Sequence, residues 1–114
     1  MMAEIVVTGV VVSRLARDVV KKSIEEIAER FLQFMNDGKG KFLEQVRIKG
    51  DGKGFYYSAS ARKLIFIPRN RVFYLVPNKK PDEMGRIMVF MPDGLVSGEI
   101  IMVDPKDLEP FGEN

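Results

Sequence analysis

The chain has no cysteine, no histidine and no tryptophan in 114 residues. Without thiols or imidazoles it has no disulfides, no thiolate nucleophile, no ordinary zinc ligands and no histidine acid–base chemistry. Any metal would be a hard cation held by oxygen ligands, and no cofactor is expected. Asparagine and glutamine are scarce (Asn36, Asn70, Asn78, Asn114, Gln33, Gln45), which together with many charges and β-branched residues favours a thermophilic source. Apolar runs are short. Ile5–Val12 is broken by Thr8 and Gly9, far below the roughly 20 residues of a membrane span. The start, MMAEIVV, shows neither the basic n-region nor the cleavage pattern of a signal peptide, so a cytoplasmic setting is expected.

What is present belongs to a globular protein: 46% hydrophobic and 30% charged residues, in a chain long enough for one core. Net charge is only +2, but the charges are segregated. Residues 1–37 carry −1, residues 38–86 carry +8 and residues 87–114 carry −5. Such asymmetry predicts either a basic binding face or an acidic tail paired with the basic centre.

Glu4–Val12 reads as a buried strand, with Ser13 able to cap a following helix. The helical period then runs from Arg14 to Asp37. Leu15, Val19, Val20, Ile24, Ile27, Ala28, Phe31, Leu32 and Met35 form one stripe, and Gly38 is placed to end it. Beyond Gly38 the chain breaks into short β segments. Phe42–Lys49 and Phe55–Ala61 read as a hairpin across Gly50-Asp51-Gly52, and Lys63–Ile67 and Val72–Val76 as a second across residues 68–71. Arg86–Met91 and Gly98–Val103 read as a third across Pro92-Asp93-Gly94. Every proline lies at or beyond position 68, and Asp104–Asn114 reads as an irregular acidic stretch. The fold expected is therefore α+β: an N-terminal strand and one long amphipathic helix packed on an antiparallel sheet of about six short strands. The sheet is expected to curl or become partly barrel-like. Residues 1–104 are read as a single domain and 105–114 as an acidic tail.

No arrangement of residues spells an enzyme. Asp37, Gly38 and Glu44 stand where an EF-hand loop would want them, but Gln33 and Met35 occupy positions that need carboxylates, which excludes calcium. The repeated Asp-Gly-Lys-Gly, at Asp37–Gly40 and Asp51–Gly54, lacks the GK[ST] and the strand-to-helix crossover of a phosphate loop and reads as two turns. Asp93, Glu99, Asp104, Asp107 and Glu109 have no partner nucleophile and read as solubilising surface.

Lys53-Gly54-Phe55-Tyr56-Tyr57 partly resembles the RNP1 pattern of RNA-recognition and cold-shock domains, in which strand aromatics stack on bases. The first three positions fit, whereas Tyr56 and Ser58 depart from it. The stretch from Gly85 to Pro110 is similar to the small SH3-like barrels of nucleic-acid and ribosome-associated proteins, in its strand, Asp-Gly turn, second strand and closing Asp-Leu-Glu-Pro.

Together with the basic centre, these features predict a non-enzymatic module binding DNA or RNA through a basic, aromatic-containing β surface. The residues expected to carry it are Lys39, Lys41, Arg47, Lys49, Lys53, Tyr56, Arg62, Lys63, Arg69 and Arg71. Tyr56, in register with Ser58, Ser60 and Arg62, is assigned to the solvent face, and Phe66 and Phe73 to the core. The competing expectation is a structural or adaptor protein acting as a homo-oligomer or on a protein partner, through methionines such as Met84, Met88, Met91 and Met102 and exposed edge strands.

Overall fold

A computed structural model describes residues 15, 23–77, 79–94 and 97–111. The strand expected at Glu4–Val12 and the Ser13 cap lie outside them. The described helix, α1, spans Ile24–Asn36 and starts later than the period predicts, at a local signal stronger than periodicity. The Ser23 hydroxyl accepts from the Glu26 amide while the Glu26 carboxylate accepts from the Ser23 amide, a reciprocal cap that satisfies two otherwise orphaned donors. At the other end the Lys39 amide reaches back to the Phe34 carbonyl at 3.1 Å and Gly38 adopts φ +77°, the expected left-handed stop. Ile27, Phe31 and Phe34 are the buried face of α1; Phe34 lies outside the stripe read from the sequence.

Seven strands follow: β1 (Gln45–Ile48), β2 (Gly54–Ser58), β3 (Lys63–Ile67), β4 (Phe73–Leu75), β5 (Ile87–Asp93), β6 (Ser97–Val103) and β7 (Leu108–Pro110). They form one antiparallel sheet in the order β3-β2-β6-β5-β4-β1-β7. The sheet is open, bounded by β3 and β7, and is neither closed nor strongly curled, so the expectation of a partial barrel is not met. Among the described residues, a helix laid on an open antiparallel sheet is the coarse α+β arrangement predicted.

Of the three expected hairpins only β5–β6 exists, with Ile87 opposite Val103 and Asp93 opposite Ser97. β1 pairs with β4 and β7, not β2, and β3 pairs with β2, not β4. The missed hairpin is β2–β3. Its turn, Ala59–Arg62, contains neither glycine nor proline; the Arg62 amide closes it on the Ser58 carbonyl at 2.7 Å, and Arg62 itself takes φ +61°. The strand expected over Phe55–Ala61 therefore ends early, because side-chain hydrogen bonds replace turn residues there: the Ser58 hydroxyl accepts from the Ala61 amide. The stretch after Asp104 also joins the sheet. Pro105–Asp107 is a 3-10 turn and β7 pairs with β1, placing Glu109 opposite Arg47.

Packing divides by face. On one side α1 lies over β5 and β6, and Ile27, Phe31 and Phe34 pack with Leu15, Leu43, Tyr74, Val76, Phe90 and Ile100. The rings of Phe31 and Phe90 are 5.2 Å apart. Burying each such ring stabilises the fold by about 2–3 kcal/mol. On the other face Val46, Ile48, Ile67, Phe73, Val89, Met91, Ile101 and Val103 form a second cluster, so Phe73 is core as expected. Two five-residue connections, 49–53 and 68–72, lie together at one end of the sheet, Gly52 beside the Asn70 backbone.

Candidate functional site

Alternation along β2 and β3 decides which rings meet solvent. Ile65 and Ile67 face the second cluster with Tyr56, so Leu64 and Phe66 face the helix side, as does Phe55 opposite Phe66. But α1 sits over β5 and β6 and stops short of this wing. Phe55 is left 67% exposed, Leu64 64% and Phe66 52%. The two phenyl rings stand edge to face, centroids 5.5 Å apart. This corrects the sequence reading twice. Phe66 is not core, because its strand is an edge beyond the helix. Tyr56 does not lie on the solvent face: its ring packs on the second cluster, and burial, then the charges of Asp107 and Asp51, push its hydroxyl above the ordinary tyrosine range. Ser58, in the same register, is wholly buried.

The ten residues expected to bind nucleic acid are brought together only in part. Lys49 and Lys53 lie on the first of the neighbouring connections, Arg69 and Arg71 on the second. Both connections flank the Gly54–Ile67 rung, and the Phe55–Phe66 rung is the next one in. The side chains of Lys49, Lys53 and Arg69 are exposed and make no ion pair among the described residues, whereas Arg71 donates to the Pro92 carbonyl at 2.8 Å. Asp51, on the same connection, accepts from the Lys53 amide and is the one acidic residue of these two loops.

The remaining cations are elsewhere. Lys39 and Lys41 follow the C-terminal end of α1, where Lys41 lies over the Phe42 ring at 5.4 Å. Arg47 is near the opposite edge and is bound to Glu109 at 2.6 Å, so part of the acidic C-terminal stretch does pair with the basic centre. Arg62 and Lys63 lie at the far end of the β2–β3 hairpin, Arg62 bridging to Glu25 of α1 at 3.2 Å. Arg86, outside the ten, stacks 5.7 Å over Tyr57 and is held by Asp82 at 2.9 Å. The amide of Arg86 bonding to Asp82, with further help from its guanidinium and the Met84 amide, keeps that carboxyl below its usual value.

Two other constellations arise from the fold. The Glu99 carboxylate accepts from the Ser58 hydroxyl at 2.7 Å and the Ser60 hydroxyl at 2.9 Å, and the Ser60 oxygen caps the Ile100 amide. Ser58 is wholly buried, Ser60 and Glu99 are half-buried, and the network ties β2 to β6. A shallow groove beside β7 is lined by Glu44, Val46, Leu75, Leu108, Glu109 and Pro110, among others, and no set of polar groups converges in it. Among the described residues no cluster of three or more acidic side chains could hold a metal, and no helix is long and apolar enough to cross a membrane.

The residues missed from the sequence are thus Phe55, Leu64 and Phe66. Their signal in the sequence was slight: after Lys63 the strand is apolar at four successive positions, Leu64–Ile67, a run that does not say which face is wet. Comparison of the chain with known protein families, curated proteins and solved structures finds no match.

Proposed function

We propose that this chain is a non-enzymatic module for single-stranded nucleic acid, engaging it through the β2–β3 wing. The observation that carries the reading is the exposed Phe55–Phe66 pair on an open sheet face, one rung from a connection bearing Lys53 and another bearing Arg69. Solvent-exposed phenyl rings gain nothing from water, but each offers a π-face to any base, and stacking contributes about 1–3 kcal/mol per base. Lys49, Lys53 and Arg69, unpaired and exposed, supply the phosphate contacts. Duplex DNA is the poorer ligand, because its bases are already stacked on each other.

The test is fluorescence anisotropy with oligonucleotides of about 12 nucleotides, DNA and RNA, single- and double-stranded, at about 50 and 200 mM salt. Three to four phosphate contacts on a single strand predict a loss of about 20- to 50-fold in affinity between those salts. Joint replacement Phe55→Ala and Phe66→Ala is expected to weaken single-strand binding at least about 10-fold at fixed salt, with the circular dichroism of the fold unchanged. Absence of binding at the lower salt, or a double variant that binds as well as the parent, overturns the proposal.

A further inference from the structure

Among the described residues β3 is an outermost strand of the sheet, and it carries two large exposed apolar side chains, Phe66 and Leu64, of which the proposed stacking uses only Phe66. The other edge is blunted: β7 has three residues and ends in Pro110, which has no amide to offer. β3 has five residues, KLIFI, with Lys63 as its one charged member. An unpaired edge of this kind is a template for another strand.

We infer that β3 pairs antiparallel with β3 of a second copy of this chain, about a two-fold axis through Ile65. The strand is self-complementary in that register. Ile65 faces Ile65 of the second copy, Leu64 faces Phe66 on the helix-side face, and Lys63 faces Ile67. No charge stands directly opposite a like charge within the five residues, and both Leu64–Phe66 pairs fall on the face where these side chains are now exposed. A shift by one residue would oppose side chains of opposite faces, which the pleat forbids.

The extent of contact fixes the strength expected. Two paired edges with their Leu64 and Phe66 side chains cover on the order of 800 Å² in total, short of the ~1,200 Å² of stable interfaces. The dimer is therefore a dynamic one, forming at micromolar concentrations and above. Just beyond the strand ends Arg69 of each copy approaches Lys63 of the other, and this repulsion is relieved by salt. The dimer accordingly tightens as salt rises, the reverse of nucleic-acid binding. When formed, it joins the two Phe55–Phe66 pairs into one platform across the axis. The pairing itself does not depend on the proposed ligand.

The 114-residue chain has no cysteine, which allows a register-specific test. Opposed Cα atoms in an antiparallel pair are about 4.5–5.5 Å apart, within disulfide reach. Ile65→Cys is expected to give an intermolecular disulfide at least about 10-fold faster than Lys63→Cys, whose copies would lie roughly 13 Å apart along the strand. Sedimentation of the unsubstituted chain should shift from monomer towards dimer between about 10 and 500 µM, more so at high salt, and Phe66→Glu should remain monomeric. A monomer throughout, or equal cross-linking of the two cysteine variants, overturns the inference. So does a monomer whose outward β3 amides resist hydrogen exchange, since another segment of the same chain would then hold the edge. Dimerisation without oligonucleotide binding defeats only the proposed function, and oligonucleotide binding by a strict monomer defeats only this inference.

Discussion

Gly98 tests how tightly the helix is seated on the sheet. It sits in β6 opposite Pro92, on the face covered by α1, and its backbone does not require glycine. A methyl group built there would stand 2.5 Å from Phe90 Cε1, closer still to Cζ, and 3.1 Å from the Met91 carbonyl oxygen. Ordinary contact needs about 3.5–4.0 Å, so the ring would have to retreat by more than about 1 Å. It has nowhere to go, since Phe90 is fully buried with Phe31 of α1 against it. Overpacking of this kind costs about 1–3 kcal/mol, against which the lower entropy of the unfolded chain returns only about 0.4–1 kcal/mol. Gly98→Ala should therefore destabilise by roughly 1–2 kcal/mol, or about 4–8 °C in Tm, measured by urea and thermal unfolding. Combining it with Phe90→Leu, which vacates the space, should cost less than the sum of the single changes by about 0.5–2 kcal/mol. A neutral or stabilising Gly98→Ala, or strict additivity with Phe90→Leu, would refute the reasoning.

Removing the cap hydroxyl with Ser23→Ala should lower stability by about 0.5–2 kcal/mol, seen as a reduced urea midpoint at constant m; an unchanged midpoint would mean that the helix start is fixed by packing alone. The Asp82–Arg86 turn should be pH-sensitive on the acid side. Because the folded carboxyl lies below its ordinary 3.8, the stability it confers is present above that value and is lost as pH falls through the folded value. Amide chemical shifts of Met84 and Arg86 should therefore move together below about pH 4, and Asp82→Asn should abolish that transition; a transition that survives the substitution would assign it to another group.

How much of this was legible in the sequence depended on whether the cause was local. The stop of α1 at Gly38, the buried Phe31 and the β5–β6 hairpin follow from short-range rules: glycine's left-handed backbone, a 3.6-residue period, an Asp-Gly turn. The Ser23 cap is equally local, but the apolar period continues through it and hides the helix start. The β2–β3 turn was illegible for a different reason. Its closure rests on Ser58 and Arg62 bonds, and Ser58 also meets Glu99, forty-one positions away.

Composition by itself excluded thiol and imidazole chemistry, and the order of residues, one helical period followed by short β segments with a basic middle, determined the α+β class. Which side of each strand faces water was a matter for the tertiary structure. Alternation says that Phe55 and Tyr56 point to opposite faces, yet not which face the helix covers. That is set by where α1 finds complementary shape, over Phe90 and Ile100 in the middle strands. The β2–β3 wing extends past the helix, and its rings are exposed for that reason. The same holds for the cations: residues at 49–53 and 69–71 become neighbours only because β1 prefers β4 and β7 as partners. A sheet's pairing order is chosen by burial summed over all its strands, a quantity that no single stretch of sequence contains.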